Sequence, residues 1–234
     1  MRPLPTSINK PKSDISTASL GITGFAKTGK TSLVINTKDH FVFNLDDGLD
    51  FFEHTGERYG RDDYEPLEQR VQEFSTASKA GKLPYRSIVI DTVDEMWKMC
   101  AQEICKRKHL DAITLNLRTE ANSKFEKLFM LLYEIPCTKW YISHAKTEEI
   151  NGLSKAVSNL PAGPRHLYEG KVDHLFYMDV APGDNGPRHL LQTRASSFYN
   201  AGGRLSWLPA TIELPDATSG FKAFAKAVIK GKTK

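Results

Sequence analysis

An α/β fold built on a mostly parallel central sheet, with helices on both faces, is what this sequence predicts, and three observations carry it. From Ser19 to Val180, apolar strand-like runs alternate with helical patterns, the order that yields a parallel sheet covered on both sides. Several of those runs end in a polar or acidic residue, as strands do when their carboxyl ends form a ligand-binding edge. Between the first run and the first helical pattern, Gly24 to Thr31 reads Gly-Phe-Ala-Lys-Thr-Gly-Lys-Thr, a full match to the phosphate-cradling G-x-x-x-x-G-K-[ST] pattern.

Each element follows in chain order. Residues 1–16 are rich in Pro, Ser, Lys and Asn and read as an extended or disordered arm. A strand is expected from Leu20 to Gly24 and a helix from Lys30 to Thr37, because Ser32-Leu33-Val34-Ile35 is apolar enough to begin a buried helix. Strands follow at His40 to Leu45 and Arg86 to Asp91, separated by a helix at Pro66 to Ala80. Ile88-Val89-Ile90 is the β-branched run of a strand buried on both faces. Helices at Val93 to His109 and Glu120 to Glu134 precede strands at Thr138 to Ser143 and His174 to Val180. Pro182 to Pro187 is a turn between strand-like stretches, a C-terminal β-hairpin extension. The core therefore spans residues 17–215, and residues 216–234 form a basic helix or tail. Its lysines are 222, 226, 230, 232 and 234, and Phe221, Phe224, Ala225, Val228 and Ile229 form its apolar face.

Composition bounds the class. The 234 residues are 40% hydrophobic and 26% charged, enough for one sizeable core. Cys100, Cys105 and Cys137 form no C-x-x-C pair, and their odd number with no secretory leader points to a reducing, intracellular setting. Cys100 and Cys105 lie five residues apart on one helix, so they face different ways and do not join His109 round a zinc ion. No apolar run is long enough for a membrane span. The formal charge of +4 is mild, so the position of the basic residues matters more than their sum.

The motif's spacing has a chemical reason. Gly24 and Gly29 allow positive φ, and the backbone of Phe25, Ala26, Lys27 and Thr28 then curls its N–H groups round a phosphate at a helix N-terminus. Lys30 is expected to reach the β and γ phosphates, the Thr31 hydroxyl to ligate Mg²⁺, and Ser32 to complete the site. The pattern alone implies ATP or GTP. Asp91, ending Ile88-Val89-Ile90, is the candidate second-shell magnesium residue, accepting from a metal-bound water or from Thr31. Asp94 and Glu95 read as ordinary acids in the first turn of a helix. Asp46, with Asp47 second, ends the neighbouring strand where a carboxylate can orient or deprotonate the attacking water; an Asp-Asp-Gly turn chosen for its backbone is the competing reading. His144 ends Trp140-Tyr141-Ile142-Ser143, and a histidine there is ordinarily a surface or hydrogen-bonded residue.

These segments, together with Ser143-His144-Ala145-Lys146 and Ala201-Gly202-Gly203-Arg204, resemble the compact RecA-core nucleotide-binding proteins of bacteriophages, which include single-strand annealing and recombination ATPases. The resemblance runs over most of Ser19 to Pro209. It implies a RecA-like P-loop sheet, ATP with Mg²⁺, single-stranded DNA as partner, a ring or filament of subunits, a single-strand DNA-binding protein as a further partner, and the cytoplasm of an infected bacterium. Asp46 takes the place of the family's catalytic acid, usually a glutamate. His144 becomes a candidate γ-phosphate sensor through its resemblance to the polar sensor that these proteins carry at this strand end. Ala145 to Gly170 falls where the family has a mobile DNA-binding loop, and Lys146, Lys155, Arg165, His166 and Lys171 are its cationic candidates. Arg204 is the candidate for completing a neighbour's site, with Arg194 the competitor. Lys106-Arg107-Lys108-His109 suits either helix capping or DNA contact.

Two other classes share the loop. A nucleotide-gated adaptor that scarcely turns over is favoured by the short side chain at position 46. A small-molecule or nucleotide kinase normally adds an arginine-rich lid, and no such stretch is present in this sequence.

Overall fold

Side-chain alternation along the strands sets the layering. In the computed structural model, which describes residues 15–50, 52–184, 186–215 and 220–232, strand β1 (Ser19–Gly24) leads into helix α1 (Lys30–Val34), then β2 (His40–Asn44) and β3 (Gly56–Arg58). Helix α2 (Tyr64–Lys79), β4 (Ser87–Asp91), α3 (Val93–Lys108) and α4 (Leu115–Tyr133) follow. Next come β5 (Thr138–Ile150), β6 (Leu153–Ser158), α5 (Ala162–Lys171) and β7 (His174–Ala181). The chain continues through β8 (Arg188–Gln192), β9 (Gly202–Gly203), β10 (Thr211–Leu214) and α6 (Gly220–Lys232). The sheet order is β10-β8-β7-β1-β5-β4-β2-β3. From β7 to β3 all pairings are parallel, and β8 and β10 add antiparallel strands at one end. The fold is thus the expected α/β architecture on a mostly parallel sheet, with the hairpin extension formed by β7 and β8.

Residues of opposite parity in each central strand enter opposite cores. Phe41, Phe43, Ile88, Ile90 and Tyr141 face a layer holding α2, α3, α4 and α5. Leu20, Ile22, Val42, Val89, Trp140 and Ile142 face the layer of α1 and α6. Such two-sided burial is why these strands read as continuous apolar runs. Gly21 lets α5 approach β1: a Cβ there would lie 2.6 Å from the Tyr168 hydroxyl.

Three expectations change. Helix α1 stops at Val34 rather than Thr37, since the Thr37 hydroxyl donates to the Val34 carbonyl and ends the ladder. The mobile loop expected over Ala145 to Gly170 is instead ordered: β5 runs on to Ile150, turns at Asn151-Gly152 (φ 54° and 76°) into antiparallel β6, and α5 follows. Positive φ at both turn residues is what an Asn-Gly hairpin requires. On α6, Phe224 and Val228 are buried, with the Phe224 ring 5.3 Å from Trp140 and 5.6 Å from Phe176, but Ile229 is 65% exposed and lies outside that face. The arm at 1–16, apart from Ile15 and Ser16, Asn185 of the expected turn, residues 216–219 and Lys234 lie outside the described residues, and nothing is said of the Lys230 and Lys232 side chains.

Candidate active site at the carboxyl edge of the sheet

Register brings the candidate residues into one row. Gly24 at the end of β1 is opposite His144 on β5, and Asp91 at the end of β4 is opposite Ile142 on β5 and Asn44 on β2. With strands about 4.8 Å apart, the phosphate loop, His144, Asp91 and Asp46 share one edge.

The two loop glycines have different reasons. Gly29 has φ 94°, the left-handed region that favours glycine. Gly24, expected to share that property, is absent from the positive-φ residues; it is needed for space, because a Cβ would meet the Met178 carbonyl at 2.6 Å. The second left-handed residue is Lys27, at φ 63°. Inside the loop, Lys30 Nζ donates to the carbonyls of Gly24 (2.9 Å) and Phe25 (2.7 Å). Burial lowers the Lys30 pKa to about 8, against the pull of Asp91, Asp94 and Asp46.

Thr31 Oγ1 donates to Asp91 Oδ2 at 2.8 Å. Burial raises the Asp91 pKa to about 6, opposed by that hydrogen bond. A hydroxyl and a carboxylate beside a phosphate loop suit a hard cation that takes oxygen ligands. Among the described residues no group of three or more His, Cys, Asp or Glu could hold a metal, so such an ion would draw its remaining ligands from phosphates and water. The Asp91–Thr92 peptide is cis.

Asp46 caps a 3₁₀ turn (Asp47–Leu49), accepting from the Asp47 N–H at 2.9 Å. Its Oδ2 lies 3.6 Å from His144 Nε2. Asp47 turns away to pair with Arg58, which places Asp46, rather than Asp47, at the cleft. The cleft has a volume of about 440 Å³ and is bounded by loop residues 26–32 with Asp46, Phe52, Asp91, His144 and His189. Among the described residues none of its lining side chains is an arginine.

Two site residues were missed. Asp94 looked like a first-turn helix acid; its carboxylate instead reaches across to β5, accepting from the His144 N–H (3.0 Å) and from Nδ1 (3.1 Å). Burial pushes the Asp94 pKa up, but the bonds and charge of His144 outweigh it and hold it below the usual carboxylate range. The same hydrogen bond raises the pKa of His144, overcoming burial. His189 on β8 donates from Nδ1 to the Thr28 carbonyl at 2.9 Å, propping the loop. Its only sequence signal is a polar residue one position after the start of a strand.

The remaining candidates scatter. Lys146 and Arg165 both pair with Glu148, at 3.1 and 2.9 Å, and Lys155 stands opposite Glu148 in the hairpin. His166 is exposed, whereas Lys171, at the far end of α5, lies over the Tyr133 ring. The expected cationic loop is therefore a hairpin and helix whose basic groups are partly neutralised by Glu148. Arg204 pairs with Asp173 at 2.7 Å, beside the start of β7 and so at the opposite, amino edge of the sheet. Arg194 is committed to the backbone carbonyls of Thr193, Ser206 and Leu208. In the 106–109 cluster, His109 closes α3 at φ 53° and Arg107 pairs with Glu103 and Glu120, a capping arrangement.

Residues 16–205 match the AAA domain family. Among solved structures the chain is similar to a KaiC-like protein from the hyperthermophilic archaeon Pyrococcus horikoshii OT3, at 13% identity over 76% of this chain and 78% of that one, with a TM-score of 0.45. A search of curated proteins finds no match. No helix among the described residues is long and apolar enough to cross a membrane.

Proposed function

We propose, from the premise that this chain belongs to the AAA domain family, that it is a Mg²⁺-dependent ATPase of RecA-like build. The observation that carries the reading is the Thr31–Asp91 hydrogen bond of 2.8 Å beside a complete phosphate loop, with Asp46 and His144 on the same edge. Bound Mg²⁺ would supply charge neutralisation at the phosphates. Loop N–H groups and Lys30 hold the phosphates, Thr31 and Asp91 hold the cation's side of the site, and Asp46 takes the water's proton. The water oxygen then bonds to the γ-phosphorus while the bond to the bridging oxygen breaks, its electron pair leaving on ADP. His144 sits where the terminal phosphate would be read.

The finer reading is oligomerisation on single-stranded DNA during phage recombination or annealing. Its support is placement: β5 carries His144 and continues directly into the hairpin bearing Lys146 and Lys155. Arg204 is 66% exposed at the amino edge, so a role in a neighbour's site calls for head-to-tail packing, the kind that builds rings and filaments. A nucleotide-gated adaptor is the second reading, favoured by the short side chain at Asp46, whose Oδ2 lies 3.6 Å from His144 Nε2. Steady-state ATP hydrolysis with and without single-stranded DNA separates the two; no turnover in either condition rejects the ATPase. DNA affinity is expected to fall steeply with salt and to rise with ATP, and binding indifferent to salt rejects the DNA partner.

A further inference from the structure

We infer that Asp94 is a positioning residue for this reaction: it clamps His144 by backbone and ring together, so that Nε2 stands between Asp46 and the terminal phosphate of a bound nucleotide. The inference rests on the ATPase reading above and adds to it the device that tells a triphosphate from a diphosphate.

A carboxylate with a side chain only 2% exposed must be paired, since an unpaired buried charge is costly. Asp94 finds both partners on one residue, the N–H and the Nδ1 of His144, at 3.0 and 3.1 Å. Helix capping does not need it, because the Thr92 hydroxyl already accepts from the Glu95 N–H at the start of α3. Two attachment points fix the imidazole plane, and an Nδ1 that donates to a carboxylate leaves Nε2 a donor only when the ring is cationic. Facing that ring are Asp94, Asp46 and Lys30. Asp46 Oδ2, at 3.6 Å, is near enough to attract the Nε2 proton but too far for a settled hydrogen bond. A γ-phosphate, more negative than one carboxylate, would draw that donor away and leave Asp46 able to accept a proton from water. ADP has no group to do this.

The test uses the full chain and an Asp94→Asn variant, with Mg²⁺ and either ADP or ATPγS as probe. Expected are ADP affinity within about a factor of two of the parent, ATPγS affinity weaker by about tenfold, and kcat lower by about 10- to 100-fold. The NMR titration midpoint of the His144 ring in nucleotide-free protein should also fall. Equal loss of both nucleotides, or an unchanged ATPγS to ADP ratio, overturns the inference. Should the variant fail to fold, the unaltered protein decides: its His144 ring signal must shift with ATPγS and not with ADP, and identical responses overturn the inference. If the unaltered protein binds neither nucleotide, it is the ATPase reading that falls.

Discussion

The two edges of the sheet handle charge in opposite ways. At the amino edge, Asp173 accepts from the Ser19 N–H at 2.9 Å and from Arg204 at 2.7 Å, an acid engaged by donors on its own chain. At the carboxyl edge Lys30 and Asp91 are buried with pKa values moved toward neutrality, to about 8 and about 6. Burial dominates both shifts, so each charged form is held at a cost to the fold. Charge kept at such a cost is the mark of a binding or catalytic edge.

The largest effect expected from breaking this contrast is at Lys30. Lys30→Ala should abolish measurable ATP binding by calorimetry while the chain melts no lower than the parent. Next is Asp46→Asn, which should keep ATP binding and reduce turnover by about 10² to 10⁴; an unchanged kcat removes Asp46 as the base. Asp91→Asn tests the contrast most directly. Its folded pKa is raised above the unfolded value, so its stabilising contribution is fully present below about pH 4 and is lost as pH rises through about 6. The Asn variant should therefore melt above the parent near about pH 8, by at most about 3 kcal/mol, and match it near about pH 4, while Mg²⁺-dependent turnover is lost. The smallest effect belongs to the other edge: Arg204→Ala removes a mostly exposed guanidinium from Asp173, which keeps the Ser19 N–H, and should cost about 1 kcal/mol or less, with ATP binding by the isolated subunit unaltered. If Arg204 completes a neighbour's site, turnover in the assembled state falls even so.

What could be read from the sequence follows from locality. Gly24, Asp46, Asp91 and His144 each end an apolar run, and a polar residue at a strand end is a local pattern. Their convergence needs only a parallel sheet, which the alternation of strands and helices supplied. Asp94 was not legible, because its carboxylate meets His144 through the packing of α3 against β5, a fact of tertiary register. His189 is similar: its contact with Thr28 depends on the antiparallel pairing that sets Val180 against His189. The hairpin was a different failure. Asn151-Gly152 is a strong turn signal, but the surrounding Lys, Ser, Asn and Gly read as a loop by composition. Arg204 was legible as an unusual residue, while its edge of the sheet was set by the pairing of Gly203 with His174.

Strand β5 belongs to two structures at once: its first half lies between β1 and β4, and its second half pairs, among the described residues, with β6. From His144 to Ile150 the extended chain covers roughly 20 Å at about 3.3 Å per residue. Treated as a stiff arm pivoting at the phosphate edge, it converts a tilt of roughly 5° into roughly 2 Å of travel at its end, using the same rise. That end carries Ile150 and Leu153, both exposed and facing each other across the turn. Were a ligand at the cleft to impose such a tilt, the apolar tip would be displaced by the width of an atomic contact, against the ties that β6 makes through Ala156 to Phe198 and Tyr199.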